Sequence, residues 1–251
     1  MAQDQLIGHG RRDFFRIAAG GTALLALAAS PLAALAQTTA APLKIATIGA
    51  GHIGSTLGTL WAKAGHPVMF SSRHPEELKG LVDGIGPLAR AGTPAEAVAF
   101  ADVVLLAVPY SAMPQIAHDF GHGLAAKALV LDATNPMVQR DGEVAVHARE
   151  KGAGVAAAEL LPGAHLVRAF NAIGSARLPE DGKRPPGERI GVPMAGDDAN
   201  ALALASNLVR EIGLEPVVVG PLTMGKYLLP GTPLAGEHTP DQIREILATL
   251  K

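Results

Sequence analysis

From residue 44 onward the chain alternates short, continuous apolar runs with longer stretches in which apolar residues recur every three or four positions. Apolar runs of four to eight residues bounded by turn residues read as strands buried on both faces, and the three-to-four spacing reads as helices that cover them. Strands are predicted over 44–48, 67–71, 102–108, 128–133, 165–170, 190–195 and 216–220, with a weaker one over 87–91. Helices are predicted between them, over 53–64, 75–81, 94–100, 111–124, 199–212 and 240–250. Strand then helix, repeated, is the pattern of a sheet wrapped on both sides, so the expected fold class is α/β: a doubly wound, mostly parallel sheet.

The first 36 residues do not join this pattern. Arg11 and Arg12 are followed by Asp13, Phe14, Phe15 and Arg16, and then by an uncharged run from Ile17 to Ala36. Its strongly apolar residues are only Ile17, Leu24, Leu25, Leu27, Leu32 and Leu35, and Gly20, Gly21, Ser30 and Pro31 interrupt any helix. A membrane-spanning helix needs about 20 predominantly apolar residues, so the run is a poor anchor. Ala34-Leu35-Ala36 supplies a small-x-small cleavage site. Together these features resemble a twin-arginine signal peptide over 1–36. The expectations are a mature chain from about Gln37, a periplasmic or secreted location, folded export through the twin-arginine machinery as a partner, and no stable membrane anchor after cleavage. Residues 37–42 read as a linker.

Charge and composition then remove whole classes. The formal net charge is −2 and the basic residues are scattered, which argues against a nucleic-acid surface. The chain has no cysteine, which excludes disulfides, thiol nucleophiles and thiolate metal sites together. Neither a G-x-S-x-G nor an H-E-x-x-H motif is present. His118 and His122 are spaced for a metal on one helix face, but Gly121 and Gly123 interrupt that helix and no third ligand is apparent, so no metal is expected. Asp197 and Asp198 stand just before a predicted helix, where Asp is a favoured cap.

The chemistry is concentrated at the first strand-to-helix turn. Gly49, Gly51 and Gly54 form G-x-G-x-x-G directly after a strand and at the start of a helix, the fingerprint of a dinucleotide site. Gly49 permits the tight turn, Gly51 lets the backbone approach a pyrophosphate, and Gly54 lets helix and strand pack closely. The helix N-terminus offers free N–H groups to the diphosphate. An NAD site usually places Asp or Glu at the end of the second strand to hold the ribose 2′-hydroxyl. Here that end reads FSSR, so Ser72 and Arg73 stand where a 2′-phosphate would need a hydroxyl and a forked cation. NADP(H) is therefore the expected cofactor, the alternative being that Arg73 simply lies on the surface.

The run IGAGHIGSTLGTLWAKAGHPVMFSSR, followed in order by ADVVLLAVP, DATNP, VRAFNAIG and GDDANALALASNLVREIGLEPVVVGPL, resembles the NADP oxidoreductase family that includes the deazaflavin-dependent NADP reductases. The similarity runs from about Leu43 to Tyr227. It implies a Rossmann-type domain over 43–171 that holds NADP(H), and a small C-terminal α/β portion over 172–251 that completes a cleft for a small-molecule acceptor, a flavin or deazaflavin. It implies cofactor contacts at Gly49, Gly51, His52, Ile53 and Gly54, and at Ser72 and Arg73 for the 2′-phosphate. Val108 and Pro109 would flank the dinucleotide, as their place after the fourth strand also predicts. Asn135 and Asn171 would meet the nicotinamide carboxamide or the acceptor, with turn formation an equal alternative.

Three functions are compatible with this reading. The first is hydride transfer between NADP(H) and a planar acceptor. The second is an imine or carbonyl reductase sharing the N-terminal half. The third is a non-catalytic NADP-binding or sensor protein. A carbonyl reductase needs a proton donor near the nicotinamide. Tyr110 is the one candidate beside a strand end, with His165 and Tyr227 more distant. Hydride transfer to a planar ring asks mainly for alignment, which favours the first reading. The polar loop from Arg177 to Ile190 carries Lys183, Arg184 and Arg189, which either meet an anionic acceptor or are simply solvated. The C-terminal 26 residues, KYLLPGTPLAGEHTPDQIREILATLK, diverge from the helical end of the deazaflavin enzymes and leave the acceptor open, as is the oligomeric state, homo-oligomer included.

Overall fold

The computed structural model describes residues 41–250; the leader expected over 1–36 and most of the linker lie outside the described residues. Eight strands form one sheet: β1 (Ile45–Ile48), β2 (Val68–Ser71), β3 (Ala89–Gly92), β4 (Val103–Leu106), β5 (Leu129–Asp132), β6 (Leu166–Arg168), β7 (Gly191–Gly196) and β8 (Glu215–Gly220). Their spatial order is β3-β2-β1-β4-β5-β6-β7-β8. The first six strands are parallel, β7 runs antiparallel to β6, and β8 is parallel to β7. Every residue of β1, β2, β4 and β5 is buried, which is why these strands appear as unbroken apolar runs rather than alternating ones. The order of the first six is that of the Rossmann-type doubly wound fold, with the strand order reversing between β1 and β4.

Helices cover both faces. On one, α1 (His52–Lys63) and α9 (Ala199–Glu211) pack over the sheet, and the indole Nε1 of Trp61 donates to the carbonyl of Leu208 at 3.0 Å. On the other lie α3 (Pro94–Phe100), α4 (Met113–Ala125) and α7 (Ala153–Leu160). The remaining helices are short α2 (Lys79–Ile85), α5 (Val138–Asp141), α6 (Glu143–Lys151) and α8 (Leu178–Asp181), and α10 (Pro240–Thr249), whose Ile243 packs with Val217 and Val219 of β8. The caps are local. Thr93 and Thr239 each form a capping box, and Asp198 accepts from the backbone N–H groups of Asn200 and Ala201. Asp198 is thus the expected cap, while Asp197 accepts from Leu222 N at 3.0 Å.

Two features depart from the sequence pattern. Three helices, α5 to α7, occupy a stretch to which apolar spacing assigned nothing. α5 is a single turn that buries only Asp141, and the other two bury small residues: α6 buries Ala145 and Ala148, α7 buries Ala153, Gly154, Ala156 and Ala157, and a Cβ on Gly154 would lie 2.1 Å from the carbonyl oxygen of Leu222. A helix that buries alanine and glycine leaves no periodic stripe of large side chains. Second, the boundary expected at residue 171 falls inside the sheet, since β7 and β8 extend the sheet that begins at β3. Among the described residues no helix is long and apolar enough to cross a membrane.

Candidate dinucleotide cleft

The three fingerprint glycines have different reasons to be glycine. Gly49 has φ +95° and a Cβ there would lie 2.5 Å from the carbonyl oxygen of Ala107, across the reversal point between β1 and β4. A Cβ on Gly54 would lie 2.0 Å from the carbonyl oxygen of Gly49. Both positions are closed by the protein's own backbone. A Cβ on Gly51 would meet nothing within 4 Å, and Gly51 is the N-terminal flank of α1, with no side-chain cap and no acidic residue in the first turn. The first N–H groups of α1 therefore face open space beside a residue without a side chain, the arrangement that binds a phosphate.

That space belongs to a cavity of about 440 Å³ at the carboxyl ends of the parallel strands. Gly51, His52, Ile53, Val108, Pro109, Asn135 and Asn171, all singled out from the sequence, line it together. Phe170 and Ile173 complete its apolar walls. Gly49 and Gly54 lie in the turn beneath. Ser72 and Arg73 follow β2, outside this cavity. The Ser72 hydroxyl oxygen accepts from His74 N at 3.0 Å, which leaves its own proton free to donate. Arg73 is exposed and has no hydrogen bond or ion pair among the described residues. The last residue of β2, Ser71, is buried and donates to Thr47 O at 2.8 Å.

The two asparagines form one unit. Asn171 Nδ2 donates to the carbonyls of Asp132 and Thr134, at 3.0 and 2.9 Å, and Asn135 Nδ2 donates to the carbonyl of Asn171 at 2.7 Å. Three backbone acceptors fix which end of each amide is nitrogen. Both Oδ1 atoms are left buried and without a partner among the described residues. A buried acceptor left unmade is costly, so these two oxygens fit a donor such as a carboxamide NH2. Phe170, at φ +66°, is the one non-glycine residue with a left-handed backbone among those described; its conformation turns the chain at the end of β6. Such strain concentrates at functional sites.

Behind this unit lies a buried ion pair that the sequence reading did not contain. Arg168 Nη1 meets Asp132 Oδ2, and both side chains are fully buried. Asp132 Oδ1 accepts from Thr134 N and Oγ1 at 2.8 and 2.6 Å, and Arg168 Nη2 donates to Thr134 O at 3.1 Å. The pair thereby sets the path of the chain into Asn135. A second ion pair was missed at the rim. Asp141 accepts from Ser111 N and Met137 N, and from Arg140 Nε and Nη2 at 3.0 and 2.8 Å, so it joins the loops that follow β4 and β5. Burial opposes ionisation of Asp141, but the hydrogen bonds from Arg140 and the two backbone N–H groups prevail and hold its carboxyl well below the usual range.

Tyr110 is not a donor in the cleft. It is 1% exposed and packs into the core beneath α4, because the single helical turn Tyr110–Ala112 carries its ring away from the cavity. Burial first, and then the nearby Asp132 carboxylate, push its phenol up to about 12. The polar loop does not bring its cations to the cleft either. Arg184 is tied to Asp181 and Glu237, Lys183 pairs with Glu180 at 2.7 Å, and Arg189 lines a separate cavity with Arg244. His165 lies in another cavity, by the start of β6 and the end of β7, paired with the helix cap Asp198. His118 pairs with Asp119, and among the described residues no three metal-ligating groups come together.

The chain is similar to known proteins over the strands that carry this cleft. Residues 44–136, from β1 to just past Asn135, match the family described as NADP oxidoreductase, coenzyme F420-dependent. The chain is 30% identical over 189 residues to the metalloreductase STEAP3 of Rattus norvegicus, covering 73% of this chain. It spans 35% of that relative's length. A solved structure of a hypothetical protein from Sinorhizobium meliloti superposes with a TM-score of 0.64 at 28% identity, over 77% of this chain and 92% of that one. A candidate F420-dependent NADP reductase from an Arthrobacter species shares the fold, with a TM-score of 0.61 at 22% identity over 73% of this chain and 87% of that one.

Proposed function

We propose that the protein is an NADP(H)-dependent oxidoreductase that passes a hydride between nicotinamide and a planar acceptor of the flavin or deazaflavin type. The observation that carries this reading is the cavity itself, whose lining brings the open face of Gly51 at the α1 N-terminus together with Asn135 and Asn171. The α1 N–H groups would hold the diphosphate, Asn135 and Asn171 the carboxamide, and Ser72 and Arg73 the 2′-phosphate. The bound dinucleotide would supply the hydride.

The chain's own residues then orient and exclude. Ile53, Val108, Phe170 and Ile173 give the cavity apolar walls suited to flat rings. No Tyr, Lys, Asp or Glu is among the described residues that line it, so proton donation to an alkoxide would fall to His52 at the rim. An aligned ring-to-ring transfer asks for no such donor at the reacting carbon. The test is oxidation of NADPH against FMN, FAD, a deazaflavin, and a panel of imines and carbonyls. Turnover confined to imines or carbonyls would replace this reading, and tight NADPH binding with no turnover would favour a sensor.

Cofactor choice has its own test. A charge-assisted hydrogen bond contributes about 1.5–3 kcal/mol. Arg73→Ala is expected to weaken NADPH binding by about 10- to 150-fold and to leave NADH within about twofold. Adding Ser72→Asp should move the preference toward NADH, because a carboxylate repels the phosphate and accepts from a free hydroxyl. Paired titrations at fixed ionic strength decide this. An NADPH-to-NADH ratio that stays constant across the series makes Arg73 an ordinary surface residue.

We also propose export in folded form by the twin-arginine route, supported by Arg11, Arg12 and the Ala34-Leu35-Ala36 site. Folding before export would let the protein leave with its dinucleotide in place. Replacing Arg11 and Arg12 with Lys should hold the chain uncleaved in the cytoplasm. A processed periplasmic form of that variant, seen by fractionation, rejects the proposal.

A further inference from the structure

Resting on the planar-acceptor reading above, we propose that the acceptor carries a phosphate group and that Arg140, at the rim of the cleft, is the residue that receives it. Arg140 lines the cavity and is the one formally charged side chain among the described residues that do so. Its guanidinium is fixed: Nε and Nη2 engage the two carboxylate oxygens of Asp141 side-on, and Nη2 also donates to the carbonyl of Asn135 at 2.8 Å. Asp141 is itself buried and held by Ser111 N and Met137 N, so the fork cannot swing away with its partner. This side-on pairing leaves Nη1 and its two N–H groups without a partner among the described residues. A guanidinium held in one orientation with free donors over an apolar-walled cavity is arranged for an anion.

The dinucleotide's own phosphates do not account for Arg140. The diphosphate is assigned to the α1 N-terminus, after β1, and the 2′-phosphate to Ser72 and Arg73, after β2. Arg140 follows β5, and β4 stands between β5 and β1. Two strand spacings, about 9–10 Å, separate the end of β5 from that of β1, and three separate it from that of β2. Arg140 lies beside Asn135, at the end of the cleft where the reacting rings would meet. An acceptor ring seated there would bring its side chain out past the rim, and a phosphate on that side chain would meet Nη1.

FMN and riboflavin share one ring system and differ by a phosphate, which makes them the probes. The experiment is calorimetric titration of the NADP-loaded protein with each, for wild type and Arg140→Gln, alongside NADPH titration of both proteins. FMN should bind wild type at least about tenfold more tightly than riboflavin. The difference should shrink in Arg140→Gln and at high salt, with FMN losing more affinity than riboflavin or NADPH, which feel only the lost hold on Asn135. A wild-type ratio within about twofold overturns the proposal and leaves the planar-acceptor reading standing. A ratio that survives in Arg140→Gln overturns it in favour of another cation. A loss of NADPH affinity as large as that of FMN overturns it by making Arg140 a cofactor residue. Failure of both flavins to bind removes the planar-acceptor reading and this proposal with it. If Arg140→Gln does not fold, the salt dependence of the wild-type ratio decides alone, and a salt-insensitive ratio overturns the proposal.

Discussion

Gly51→Val is expected to abolish NADPH binding while leaving the protein folded. The backbone at Gly51 is extended, with φ −72° and ψ −166°, a region that valine adopts without strain. A Cβ there meets no atom of the protein within 4 Å, so the fold has no objection to it. What fills the space is the branched side chain itself, standing between the α1 N–H groups and any diphosphate. Losing glycine as the helix flank costs only about 1 kcal/mol, since valine is a poor cap. The comparison that gives the result meaning is Gly54→Ala. Its Cβ would lie 2.0 Å from a backbone oxygen, so that variant should lose its fold together with its binding. Thermal denaturation and NADPH calorimetry on both variants separate the cases. If Gly51→Val retains wild-type NADPH affinity, no nucleotide approaches this turn, and the assignment of the cleft fails.

The turn was readable from sequence because its requirements are written in consecutive residues: a buried apolar strand, three glycines at fixed spacing, and an amphipathic helix. The same holds for the sheet, since strands such as β4 and β5 are continuous apolar runs. The helices α6 and α7 were not readable because they bury alanine and glycine, whose pattern is no different from that of a loop, and α5, at four residues, is too short to show a period. Tyr110 was placed correctly beside a strand end, but one turn of helix decides which way its ring faces, and adjacency does not reveal this. The ion pairs fail for another reason. Asp132 and Arg168 are 36 residues apart, each at the end of an apolar strand, and only the parallel pairing of β5 with β6 makes them register partners. Asp132 did leave a signal, being a carboxylate inside an otherwise apolar run and two residues before Thr134, which it holds. A charge in such a place implies a partner before the partner can be named.

Arg168→Met is expected to have a large effect on stability, second only to that of Gly54→Ala. It leaves Asp132 fully buried with its Oδ2 stripped of a counter-charge, a change that costs about 3–5 kcal/mol. Domains of this size are stable by only about 5–15 kcal/mol, so about a fifth or more of the total would be lost. The melting temperature should fall by roughly 6–20 °C. Adding Asp132→Asn removes the unpaired charge while an amide oxygen can still accept from Thr134 N and Oγ1. That second change should restore much of the stability. It should not restore the cleft, because Arg168 Nη2 no longer holds the carbonyl of Thr134, and the chain into Asn135 loses its guide. The double variant should therefore fold well and bind NADPH more weakly than wild type. Chemical denaturation measures the first quantity and nucleotide titration the second. A single variant within about 1 kcal/mol of wild type would mean that Asp132 is reached by solvent and the pair does not support the fold. A double variant with wild-type NADPH affinity would confine the pair to stability and separate it from the site it underlies.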